Sequence, residues 1–381
     1  MKIAIFTNNY LPNPYGVAVS VETFREELEK RGHTVYIFAP EWKGYEDKNP
    51  NIFRYPSIDI KFKFRFPLPL PYSWRISKIL KNLEIDIIHA QHPNLLGLTA
   101  KHWSGKKKIP LVFTWHTLYN HYTNFVPFLP KKWLEKKVVA QAVKYANQAN
   151  AVIAPTDSII AMLRKWGVKQ QIFSIATGIK ETDFSGVNGK AVRQKYQITD
   201  DEIVLLLISR LTEEKNIEFV FRALKDILAR NKKIKFLVAG NGYLLPKLKN
   251  FCEENSISKQ VIFSGLISRL EIKNYYACAD IFVYASKSET QGIIPLEAMY
   301  SKLPIVAIFS TGISSLMLDR GNGFLVRDNE DDFAQAVMKL VEDKKMREKF
   351  GEVSGKIARE NFTSEVCAEK MLEVYEKCLK H

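Results

Sequence analysis

Short runs of apolar, β-branched residues alternate along the chain with longer stretches whose apolar positions recur every three or four residues. This is the pattern of a parallel sheet covered on both faces by helices. In the first half, strands are predicted at 2–7 (KIAIFT), 35–39, 86–89 (DIIH), 111–116 (LVFTWH), 151–154 and 172–175, with helices at 20–31, 158–166 and one ending near 150. The second half repeats the alternation. Its strands are predicted at 202–208 (EIVLLLI), 235–240 (KFLVAG), 261–265 (VIFSG), 279–285 (ADIFVYA), 305–308 and 324–326, with a helix from 217 and long polar helices to the end. At 381 residues this predicts two α/β, Rossmann-like doubly wound domains, 1–180 and 181–381, with 181–190 as the linker and the C-terminal helices free to pack back on the first domain.

Breakers locate the loops that carry chemistry. After the first strand, Pro12, Pro14 and Gly16 exclude regular structure from 8–17 and put Gly16 at the strand's carboxyl end, where such sheets bind ligands. After the strand at 279–285, Gly292 precedes Ile293, Leu296, Met299 and Tyr300 at helical spacing, and Pro295 is tolerated because it lies in the first turn. Gln291, Gly292, Ile293 and Ile294 therefore stand at a helix N-terminus, whose free N–H groups and positive dipole end suit a diphosphate. Two carboxylates flank that turn: Glu289 before the helix and Glu297 within it, acceptors suited to sugar and ribose hydroxyls. Arg210 and Lys215 bracket another strand-to-helix turn, a guanidinium fork and an ammonium suited to phosphate charge.

Composition adds one anomaly. The net charge is +15, and it is lopsided: residues 1–185 hold 26 Lys and Arg against 14 Asp and Glu, residues 186–381 hold 30 against 27. Much of the excess lies in 58–81, where Lys61, Lys63, Arg65, Arg75, Lys78 and Lys81 face a single Asp59 among Phe62, Phe64, Phe66, Tyr72 and Trp74. The alternation predicts an edge strand with one basic and one apolar face, stopped by Pro67, Pro69 and Pro71, and an anionic membrane surface as partner. Trp103 and Trp133 repeat the theme beside further lysines. No nucleic-acid module accompanies the charge, so a basic nucleic-acid-binding protein is the weakest reading. No apolar run approaches the roughly 18 residues of a membrane span, so the chain is expected to be cytoplasmic. Cys252, Cys278, Cys367 and Cys378 are widely spaced, without the pattern of a disulfide framework or zinc site. His89, His92 and His121 lack metal spacing and are read as structural.

The stretch SETQGIIPLEAM resembles the E-x7-E motif of retaining family 4 glycosyltransferases, and SRLTEEK, FTWHTLY and the loop NNYLPNPYGV are similar to further motifs of that family. The resemblance covers essentially the whole chain and implies the GT-B architecture, two facing Rossmann-like domains. It implies that Glu289 faces the donor sugar and Glu297 the nucleotide ribose. By the same resemblance Arg210 and Lys215 meet the diphosphate, Leu266 and Ile267 the base, and His116 the sugar near the reacting carbon. It further implies a metal-independent, cofactor-free reaction that retains anomeric configuration. Within the family the chain looks most similar to bacterial diacylglycerol glucosyltransferases, which implies a UDP-glucose donor, a membrane lipid acceptor and peripheral association with the inner face of the cell membrane. A soluble acceptor, or mannosyl transfer from a GDP-sugar, is the alternative.

Overall fold

Local pattern becomes architecture through two sheets. The computed structural model describes residues 1–13, 16–61, 65–116, 131–287, 289–310 and 312–380, the side chains of 61, 65–66 and 131–133 excepted. The chain divides into two units, Met1–Gly178 together with Ser364–His381, and Ile179–Thr363.

In the first unit the strands are β1 (Lys2–Phe6), β2 (Thr34–Pro40), β3 (Ile52–Tyr55), β4 (Ser57–Lys61), β5 (Arg65–Pro69), β6 (Ile87–Ala90), β7 (Leu111–Thr114), β8 (Ala151–Ala154) and β9 (Ile172–Ser174). Seven form a parallel sheet in the order β3-β2-β1-β6-β7-β8-β9. β6, β7 and β8 are buried at every position, as parallel strands covered on both faces must be. The order reverses between β1 and β6, so their carboxyl ends diverge into a crevice.

The last helix of the chain, Ser364–Leu379, belongs to this first unit. Ser364 donates to Glu27 at 3.0 Å, and Arg31 donates to the Glu365 carbonyl at 3.2 Å. The second unit thus ends at Thr363, and the chain's last helix is part of the first unit.

The second unit holds β10 (Ile203–Ile208), β11 (Ile234–Ala239), β12 (Val261–Gly265), β13 (Ile281–Tyr284), β14 (Ile305–Ile308) and β15 (Gly323–Val326), parallel in the order β12-β11-β10-β13-β14-β15. Its switch point lies between β10 and β13. The expected linker at 181–190 is docked structure instead: Glu181–Phe184 is a 3-10 turn, Tyr300 donates to Glu181 at 2.9 Å, and the Asn188 N–H donates to Asn274 at 2.7 Å.

Two other local expectations change. The helix after β1 begins at Gly16 and runs to Lys30, so Gly16 is its first residue and not a loop residue; Ala18, Val21, Phe24 and Leu28 bury one face and outweigh the glycine. The basic stretch is not one strand stopped by prolines. β4 and β5 form an antiparallel hairpin in which Pro67 pairs with Asp59 and Pro69 with Ser57. Leu70 N–H donates to the Pro56 carbonyl at 2.8 Å, so alternate positions donate across the ladder and the prolines occupy the positions whose nitrogens face away.

Candidate active site

In the second unit, 74 residues of sequence separate Lys215 from Glu289, yet the two form an ion pair. The pairing follows from strand order. β10 and β13 are neighbours at the switch point, and the loops leaving them, 209–216 and 285–292, meet at their carboxyl ends. The Glu289 carboxylate oxygen that takes the Lys215 ammonium also accepts from Tyr284 Oη at 2.7 Å and Ser286 Oγ at 3.1 Å. Burial pushes this carboxyl up, but the Lys215 charge, with Tyr284 and Ser286, more than offsets it and holds the group below the usual carboxylate range. Tyr284, the last residue of β13, owes its strongly raised pKa first to burial and then to the Glu289 charge. Arg210 lies at the same turn, about half exposed, with Glu214 at 3.3 Å.

Gly292 caps the helix Ile293–Tyr300 with φ +76°, and a Cβ there would meet the Ile313 side chain at 2.9 Å. Gly312 is closed in as well: a Cβ would sit 2.5 Å from the Glu289 carbonyl oxygen, so the loop after β14 presses on the loop after β13. Ile293 and Ile294 open the helix half-buried, and Pro295 costs nothing in its first turn.

Glu297, one turn further on, is wholly buried. One of its oxygens is bound by Arg269 and the other accepts from Tyr276 Oη at 2.9 Å. Burial dominates and leaves the carboxyl above its ordinary pKa despite Arg269 and Tyr276. Arg269 also reaches Asp183 at 3.5 Å. Its loop, which follows β12, therefore reaches the helix that follows β13. Leu266 and Ile267 lead into that loop, Leu266 exposed and Ile267 half-buried.

In the first unit, β6 and β7 are neighbours, which places Gln91 beside His116: Nε2 of His116 is 2.5 Å from Gln91 Oε1. A carbonyl oxygen accepts, so that nitrogen carries the proton. His89 is buried between Tyr375 Oη, 2.7 Å from Nδ1, and Thr114 Oγ1, 2.6 Å from Nε2. Desolvation pushes His89 down to about 3 and His116 down to about 4, so both imidazoles are neutral at neutral pH. With Ser20, Phe24, Thr177 and Met371 they line a water-sized cavity. His121 lies outside the described residues.

Of the basic patch, Arg75 is exposed on the helix Trp74–Asn82; Lys63 and the side chains of Lys61 and Arg65 lie outside what is described. The described face of the hairpin is apolar. Ile58, Ile60, Leu70, Tyr72 and Trp74 are all exposed, Tyr72 and Trp74 by more than 70%, while Pro67 and Pro69 turn inward. Lys78 stands 5.8 Å from the Trp74 ring centre, and Thr99 donates to the Pro71 carbonyl at 2.9 Å. Among the described residues no helix is long and apolar enough to cross a membrane.

Sequence reasoning missed Arg269, Tyr276, Tyr284, Asp183 and Gln91. Tyr276 and Tyr284 sit in apolar runs that read as core, and Arg269 is one cation among many. Nothing local marks any of them.

Residues 14–182 match the model of Glycosyltransferase Family 4, and residues 189–356 that of Glycosyl transferases group 1. The chain is 35% identical to the alpha-monoglucosyldiacylglycerol synthase of Streptococcus pneumoniae strain R6, over 96% of this chain and 84% of the relative. It is 28% identical to the enzyme of the same name from Acholeplasma laidlawii, over 87% and 86%. Its fold is like that of Anabaena HepE, solved with UDP and glucose, at TM-score 0.77 and 18% identity over 99% of this chain and 100% of that one. It is also like that of sucrose-phosphate synthase from Thermosynechococcus elongatus, at TM-score 0.80 and 18% identity over 100% and 99%. Two Rossmann-like units, paired family models and a relative of this similarity together establish that the chain is a glycosyltransferase of the GT-B fold, belonging to family 4.

Proposed function

We propose that this glycosyltransferase moves glucose from UDP-glucose to a diacylglycerol-type lipid, with retention of anomeric configuration, as a peripheral protein on the cytoplasmic face of an anionic membrane. The donor assignment is supported by the second unit. Glu297 grips the ribose diol, and the N–H groups at Gly292 to Ile294 take the diphosphate together with Arg210 and Lys215. Glu289 orients the hexose, and Leu266 and Ile267 border the base. The acceptor hydroxyl attacks the anomeric carbon from the face that the diphosphate leaves, and its proton passes to the departing phosphate oxygen. Negative charge grows on that oxygen in the transition state, where the Lys215 and Arg210 cations gain most. No metal or cofactor is required in this scheme. Neutral His116, its Nε2–H committed to Gln91, acts on the sugar by hydrogen bonding and not as a cation.

The observation that carries the lipid acceptor is the exposed apolar hairpin beside a basic helix. Ile58, Ile60, Leu70, Tyr72 and Trp74 offer a surface that enters a bilayer interface, and Arg75 and Lys78 meet anionic head groups. The S. pneumoniae and A. laidlawii relatives, whose names are those of diacylglycerol-glucosylating enzymes, support the same acceptor. The test is transfer from UDP-glucose to diacylglycerol in anionic vesicles, with product identified by mass spectrometry, in the parent and in a variant with Lys61, Lys63, Arg65 and Arg75 replaced by Ser. Each cation is worth up to about 1 kcal/mol near such a surface, so the variant should lose vesicle binding and lipid transfer while keeping UDP affinity. Preference for GDP-mannose or for a soluble acceptor would overturn the proposal.

A further inference from the structure

If Glu297 is the ribose seat, as proposed above, this chain's own side chains already occupy it. The Glu297 side chain has no exposed surface, and both of its carboxylate oxygens are engaged, one by Arg269 and one by Tyr276. The two partners differ. Tyr276 is wholly buried, and its Oη is also within 3.2 Å of the Ile294 carbonyl, so it is part of the wall. The Arg269 side chain is 43% exposed and comes from the loop after β12. It is therefore the accessible group that covers the carboxylate, and the one free to withdraw. Asp183, already 3.5 Å from Nη2, can hold the guanidinium when it leaves Glu297.

We propose that Arg269 is a latch that sets nucleotide specificity at this site. It occupies Glu297 until a ribose with both hydroxyls displaces it, and it then rests on Asp183. Closed, it satisfies a carboxylate that would otherwise be a buried, half-paired charge. Open, it leaves the Glu297 oxygen to an incoming hydroxyl. A nucleotide lacking the vicinal diol cannot replace the lost ion pair and does not open the latch, so the contact counts against any ligand that fails to make the same bonds.

Titration calorimetry with UDP and with 2′,3′-dideoxy-UDP tests this on the whole chain carrying Arg269→Ala, with Arg269→Gln as the milder second variant. The latch predicts that UDP binds more tightly to both, by about tenfold for Arg269→Ala, the worth of one charge-assisted hydrogen bond no longer competed for. Dideoxy-UDP affinity should stay at the wild-type value, and UDP should raise the melting temperature more in Arg269→Ala than in wild type. Unchanged or weaker UDP binding in both variants would overturn the latch, as would equal tightening for the two nucleotides. Glu297→Gln in the same titration judges the underlying reading separately: if it leaves UDP affinity unchanged, Glu297 is not the ribose seat, whatever Arg269 does.

Discussion

The two parallel sheets are built by one rule, each with its order reversing beside its first strand, yet their crevices hold opposite chemistry. At the β10/β13 switch the side chains are charged and paired, Lys215 with Glu289 and Arg269 with Glu297. Around β6 and β7 the polar groups are uncharged: Gln91, Thr114, and two imidazoles that desolvation keeps neutral. Ion pairs that can be exchanged for ligand contacts suit a crevice that takes and releases a dianionic leaving group. On the proposed reading, neutral donors and acceptors suit a sugar hydroxyl, since they do not trap that anion. The same topology thus carries charged side chains at one switch point and uncharged ones at the other.

The largest expected effect breaks the charged half. Lys215→Ala removes the partner of Glu289 and a cation from the leaving group, and kcat should fall by the equivalent of about 2.7 to 4 kcal/mol, as for other lost transition-state charge stabilisation. Steady-state kinetics check it: a rise in KM at unchanged kcat would remove Lys215 from the leaving group. Glu297→Ala should weaken UDP binding by roughly 1.5 to 3 kcal/mol, the range for hydrogen bonds to a charged group, measured by calorimetry.

Acid sharpens the contrast. His89 is held neutral in the fold with its pKa depressed to about 3. In the unfolded chain it titrates near about 6.5, so below that pH the unfolded state binds a proton that the fold refuses. Stability is untouched above that point and is lost by about 1.4 kcal/mol per pH unit as pH falls from there toward the folded value. Glu289, whose pKa is lowered, acts only in more acidic solution: its contribution is present above the ordinary carboxylate value and is lost as pH falls through its folded pKa. Stability monitored from pH 7 to 5 should therefore fall in wild type and fall less steeply in His89→Asn, where His116, also depressed to about 4, still contributes. The smallest effect on nucleotide affinity is expected at His116→Ala, where transfer should drop while UDP titrates as in wild type; equal loss of both would make His116 structural.

Much of this was readable one segment at a time. The runs KIAIF, IVLLLI and IFVY announce buried strands because burial on both faces demands unbroken apolar side chains. The Gly292 turn announces a helix start because few other residues adopt its φ. Arg210, Lys215, Glu289 and Glu297 stood out because they flank such turns. Each of these signals resides in a few neighbouring residues, so the sequence alone determined it.

Tertiary structure decided what those residues meet. That Lys215 reaches Glu289 depends on β10 lying beside β13, and that Arg269 covers Glu297 depends on how the loop after β12 is carried; neither neighbour is near in sequence. The same holds for the final helix, whose polar and apolar spacing names a helix but not the unit that buries it until Ser364 meets Glu27 and Tyr375 meets His89. The prolines of β5 read as a stop because a proline removes a ladder donor. They are admitted because the register of a two-stranded hairpin leaves those nitrogens unpaired. Periodicity and backbone preference act within a turn or two of chain and can be read from it. Strand order, register and the partner of a buried charge are set by contacts between distant segments, and they exist only once the chain has folded.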